Sequence, residues 1–215
     1  MSDKISLRKS EVKVFQSAFQ DGLWDIFIGC YLLQFIFAIY LSPYLGDFWS
    51  SAVFLPIVGL LFLGLWLIKK YIVKPRLGSV QYGSWRKTRM FRFNLLMLVF
   101  LVLALVFGFL SLVEFSSIPD WMVAARFSLV VLIFFSLIAY FLNYTRMYGY
   151  GILVSLAPIT GEWLHVNLGA SHHGWPITFG ICAGIMITTG TILFVKFLRS
   201  HPLPPDIASL NLAAE

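Results

Sequence analysis

Charge is what this sequence has least of. Asp, Glu, Lys and Arg make up 12% of its 215 residues, about half their share in soluble domains. That scarcity excludes a chain folded only around water-exposed globular surface. Cysteine is nearly absent as well. Cys30 lies early in the first apolar run and Cys182 early in the last. Those runs are expected to point in opposite directions, which puts the two thiols near opposite faces of a bilayer. A disulfide needs α-carbons within about 7 Å, so both cysteines are expected to be free and buried. No HExxH sequence and no paired-histidine zinc finger occurs, which removes the commonest metal signatures. Residues 1–22 are polar and basic, with no small-residue cleavage site after the first apolar run; that run is expected to stay as a signal anchor.

What is there instead is apolar sequence, 59% of the chain. It comes in six runs, near 23–41, 49–68, 93–113, 121–143, 148–164 and 175–197, most of them close to the roughly 20 residues that cross a bilayer as a helix. Backbone groups in hydrocarbon must be satisfied within the segment, and the alternation of a membrane barrel is absent, so these are helices. The fold class expected is an all-α polytopic integral membrane protein with six transmembrane helices. Its expected divisions are an arm over 1–22, a membrane domain over 23–199 and a tail over 200–215. Within the arm, Val12, Phe15 and Phe19 recur at helical spacing, which predicts an amphipathic helix lying in the interface.

Lysine and arginine then set the orientation. Fifteen of the sixteen fall in the N-terminal arm, in the connection 69–92, at Arg146 or at the C-terminal end. The exception is Arg126. By the positive-inside rule both termini face the cytoplasm, in a cytoplasmic (inner or plasma) membrane. The basic pI follows from this bias and implies no nucleic-acid partner. Trp24, Trp49, Trp121, Trp163 and Trp175 all stand at segment ends, where an aromatic belt anchors a membrane protein. Offset by 126 positions, Trp49, Gly64, Leu67 and Lys70 match Trp175, Gly190, Leu193 and Lys196, a faint sign of an internal repeat.

The middle of the membrane lacks carboxylates, lysines and histidines, which disfavours ion-coupled transport. Gln34, Ser136, Ser155, Thr188 and Thr189 are its main polar side chains, read as packing contacts between helices. Asp25 lies just inside the cytoplasmic end of the first run and is expected to pair with the basic 69–92 connection. Arg126 and Glu162 stand at comparable depth near the other face, where an isolated charge is costly. They are expected to form a buried ion pair, with an anion site as the alternative. GEWLHVNLGASHHGWP, residues 161–176, holds three of the four histidines. Glu162, His165, His172 and His173 could together suit zinc, though their spacing fits no established ligand pattern and an ordinary turn explains them as well. No other cofactor is expected. In the 69–92 connection Lys74, Arg76, Arg86 and Lys87 form a basic patch suited to anionic phospholipid.

GLWDIFIG at 22–29, VKPRLGSVQYG at 73–83 and FLRSHPLP at 197–204 resemble an uncharacterised group of small multi-pass membrane proteins of bacteria and archaea. The resemblance implies the fold and carries over no functional residue. The function expected is non-catalytic: an accessory, assembly or lipid-interacting scaffold component, with the bilayer, anionic phospholipids and other membrane proteins as partners. The alternatives are a passive small-solute transporter or channel and a metal-dependent membrane enzyme with a Glu/His site at the outer face.

Overall fold

A computed structural model of the chain describes residues 19–77, 88, 91–100, 102 and 119–202. Residues 1–18 of the arm, Arg86, Lys87 and the tail from residue 203 lie outside the described residues. All regular elements among the described residues are helical, with no strand. Helices occur at all six apolar segments: α1 (Leu23–Ala52), α2 (Phe54–Ile68), α3 (Phe91–Phe100), α4 (Asp120–Leu142), α5 (Arg146–Leu168) and α6 (Trp175–Ser200).

Among the described residues, three stretches are long and apolar enough to cross a membrane: Pro56–Arg76, Asp120–Leu142 and Ser171–Ser200. Leu23–Gln34 and Ile39–Gly46, bent by 45°, make a fourth if counted as one span. The described part of α3 is short, and α5 is not among the apolar spans. The reason is legible in α5 itself, which carries Arg146, Glu162, His165 and Asn167 among its leucines and glycines.

Two boundaries differ from expectation. The turn expected after residue 41 is helical, interrupted only where Gly46 leaves helical geometry (φ 77°, ψ 161°). The connection expected from residue 69 begins as a continuation of α2, first as a π turn over Lys69–Val73 and then as a helical turn over Lys74–Leu77. Hydropathy marks where apolar sequence stops. A helix stops only where its backbone finds other partners, so the two need not coincide.

The chain divides into two compact units, one of residues 1–16 and 82–182 and the other of 17–81 and 183–215. In the first, α4 and α5 form an antiparallel hairpin. Asn143 takes the left-handed conformation (φ 50°), and the Tyr144 N–H bonds the Ala139 carbonyl at 3.1 Å, which closes α4 and reverses the chain. The buried stripe of α4 is Ala124, Ser128, Phe135 and Ala139; that of α5 includes Tyr150, Gly151, Val154, Pro158, Gly161 and Glu162. Small residues alternate with large ones across the seam, which lets the helices approach closely. Ser155 and Thr160 bond carbonyls of their own helix (Ile152 at 3.0 Å, Leu156 at 2.9 Å). They therefore satisfy themselves locally, and so does Thr188 in α6, bonded to Gly184.

In the second unit, Leu23, Leu65, Val73 and Phe197 are buried together, with Trp24, Phe27, Phe194 and Leu198 packed around them. The π turn explains how α2 serves this core. An α-helix over-rotates by about 40° every four residues, and the wider π turn takes that back. Leu65, Lys69 and Val73 therefore stay on one side. The repeat suggested by Gly64 and Gly190 has no counterpart in packing: a Cβ on Gly64 meets nothing within 4 Å, whereas one on Gly190 would meet the Gly22 carbonyl oxygen at 2.7 Å.

Candidate functional site

Two groups of ionisable side chains are built into the described helices. The first gathers Asp120, Glu162 and His173, each offering a donor atom within 4.8 Å of the others. Glu162 is on the buried face of α5, and its Oε2 is 3.0 Å from Nδ1 of His173. Asp120 is the first residue of α4, set there by the extended Pro119 (ψ 140°).

His173 reaches Glu162 because the chain turns the wrong way for ordinary residues. His172, His173 and Gly174 all have positive φ (52°, 54° and 64°). For a residue with a Cβ this costs about 1–3 kcal/mol and persists only where the surroundings over-determine it. Here Gly161 does so: a Cβ on it would lie 2.8 Å from the His173 carbonyl oxygen and 2.9 Å from Cδ1 of Trp175. The turn thus lies directly on α5 one residue before Glu162. Trp175 stacks on Phe127 (6.0 Å, 18°), and its indole N–H is buried without a hydrogen-bond partner among the described residues.

Of the four residues considered as metal ligands from sequence, the structure brings two together. His165 lies beside His173, with ring centroids 4.7 Å apart and planes tilted by 43°, and its Nδ1 donates to the Ala170 carbonyl at 2.6 Å. His172 is exposed. Asp120 was not a candidate. At the head of an apolar segment it reads as a favourable charge on a helix N-terminus, and no spacing rule reaches across the 42 positions to Glu162.

The expected Arg126–Glu162 pair is not formed. Arg126 is exposed, between the buried Ala124 and Ser128 in sequence. At 100° per residue it stands about 200° around the helix from each, and its Nη2 lies 3.9 Å from Met122 Sδ.

The second group lies where α1 begins. Asp21 and Asp25 are both fully buried. Asp21 accepts the Leu23 N–H at 3.1 Å through Oδ1, capping α1, and its other oxygen is 3.1 Å from Lys69 Nζ. The ammonium also sits over the rings of Phe19 and Trp24 (5.6 and 5.4 Å). Asp21, one turn before Asp25, thus meets Lys69 at the start of the basic connection. Arg76 donates to the carbonyls of Leu198 and His201 (3.1 and 3.0 Å), closing the end of α6. Trp24 and Trp175 are half-buried, against Phe19 and Phe127, while Trp49, Trp121 and Trp163 are exposed.

Leu23, Val73 and Phe197 share the core of this second unit, and Arg76 caps the end of α6. No family model, no curated protein and no solved structure matches this chain.

Proposed function

We propose that the protein is a multi-pass component of the cytoplasmic membrane with a structural, non-catalytic role: a scaffold or assembly element whose basic face meets anionic lipid. The observation that carries this reading is how the buried charge is used. Lys69 and Arg76, the cations next to the buried carboxylates and the α6 end, are committed to an internal ion pair and a helix cap. The groove beside Gln34, ≈ 400 Å³, is lined by α1, Val53 and α2, and its other residues (Cys30, Leu33, Phe37, Leu41, Ile57, Val58, Leu61 among them) are mostly aliphatic. That lining supports packing or lipid contact rather than a polar path for solute.

The reading includes six spans with both termini inside. In support of counting α5, it runs antiparallel to α4 with equal length, 23 residues, about 35 Å at 1.5 Å per residue, enough for a hydrocarbon core of about 30 Å. Its Glu162 turns toward the protein. Single cysteines placed at 44–48, 115–119 and 167–173, with Cys30 and Cys182 replaced by serine, should react with an impermeant reagent from outside only. Cysteines at 78–87 should react only after the membrane is opened. Labelling of the first set from the cytoplasmic side alone would overturn the topology.

The lipid contact has its own test. Arg76 is half-buried and capping α6, so neutralising it would disturb the fold. Lys74 is exposed, and a Lys74→Gln, Arg86→Gln, Lys87→Gln variant should keep its stability while losing a large share of co-purifying anionic lipid, since each juxtamembrane cation contributes about 1 kcal/mol. Unchanged lipid content would leave the charge bias as a topology signal only.

A further inference from the structure

We infer that Asp120, Glu162 and His173 form a binding site for one divalent transition-metal cation, zinc by the chemistry of the donors. The argument starts from charge. Two carboxylates and one imidazole converge with donor atoms within 4.8 Å of one another, and one carboxylate, Glu162, is buried. With a neutral imidazole the group carries two negative charges, and with a protonated one it still carries one. A carboxylate taken out of water needs a compensating partner. Among the described residues no lysine or arginine supplies it: the ion pair that Glu162 forms is with His173, and Arg126 stands on another side of α4. A divalent cation brings the group to neutrality.

Geometry agrees. Zinc bonds of about 2.0–2.2 Å set tetrahedral donors roughly 3.3 Å apart. Glu162 Oε2 and His173 Nδ1 are already 3.0 Å apart, and Asp120, exposed at the head of α4, closes the remaining gap by a side-chain rotation. Two oxygens and one imidazole nitrogen leave a fourth position for water, a set that suits zinc better than magnesium or calcium, which prefer all-oxygen shells. The left-handed turn gains a reason as well: its backbone strain sets His173 against Glu162, and Gly161 leaves it room. Cation binding would tie the head of α4, the end of α5 and the entry to α6 together.

The test uses the full chain in detergent, purified through a tag without histidine and stripped with chelator. Zinc alone is then titrated, with magnesium as control. Bound metal is measured by mass spectrometry after desalting, and thermal unfolding is followed in parallel. One equivalent of zinc per chain is expected. The unfolding midpoint should rise by roughly 5–10 °C at a hundredfold excess over Kd, with no rise in magnesium. Asp120→Asn, on an exposed residue that does not threaten folding, should weaken zinc binding tenfold or more, as should Glu162→Gln. His172→Ala should bind as the parent does. Less than a fifth of an equivalent in the parent chain would overturn the site, as would full affinity in Asp120→Asn and Glu162→Gln. So would loss of binding in His172→Ala, which would make the metal a surface-histidine contact.

Discussion

Gly190→Leu is expected to leave little folded protein. A Cβ at Gly190 would lie 2.7 Å from the Gly22 carbonyl oxygen and 2.8 Å from both Cγ1 and the backbone nitrogen of Ile26. The Gly22 carbonyl is also the acceptor that starts α1, bonding the Ile26 N–H at 3.1 Å. The obstacle is therefore backbone, which cannot turn aside as the end of a side chain can. The opposing residue gives no relief, because Gly22 has φ +78°, a conformation that side chains disfavour. Even Gly190→Ala should cost about 1–3 kcal/mol by overpacking, and leucine more. Gly184→Ala provides the internal control: it is on the same helix, and its added Cβ meets nothing within 4 Å, so the better helix propensity should leave it neutral or slightly stabilised. Unfolding midpoints in detergent for the three variants settle the matter. If Gly190→Ala is tolerated as well as Gly184→Ala, the close approach of α1 and α6 is not what holds the second unit.

The second large effect is expected at Lys69. Lys69→Met removes the cation beside a carboxylate that is fully buried, whereas the Lys69 side chain itself is 24% exposed. Stranding a buried charge costs about 3–5 kcal/mol. Asp21→Asn should cost less, about 1.5–3 kcal/mol, for two reasons. Asparagine still accepts the Leu23 N–H as a helix cap, and the ammonium left behind keeps the Phe19 and Trp24 rings and some access to water. The double variant should then lose less than the sum of the two singles, and measuring all four proteins yields the coupling directly. Equal losses from both single changes, adding up in the double, would mean that the two groups do not act as a pair.

Much of the fold was legible because long apolar runs must satisfy their backbone internally and so read as helices. Apolar runs of membrane length place the starts of α1, α4, α5 and α6 within a few residues, while α1 and α2 run on past their expected ends. The misses fall where water, lipid and protein compete for the same side chain. Arg126 and Glu162 share a depth in sequence, but α4 turns them to different sides. Asp21 sits outside the apolar run and so looks like solvent-exposed interface, yet Lys69, carried inward by the π turn, buries it. Ser155 and Thr188, expected to bond between helices, bond carbonyls of their own helix, a choice that depends on rotamer and neighbour spacing rather than on composition.

By itself, the sequence determined the all-helical class, the number of apolar segments, the bias that argues for their orientation, and the concentration of histidine and glutamate at one end of α5. Each of these follows from a property summed along the chain: hydropathy over a span, charge over a connection, residue types over a short stretch. Only the tertiary structure decided the partners: Glu162 with His173 and Asp120, Asp21 with Lys69, Arg76 with the end of α6. Those pairings join residues 11 to 125 positions apart, and they depend on helix rotation, on two glycine contacts and on a left-handed turn. Rotation is set by how side chains interlock between helices, which no periodicity within one helix encodes.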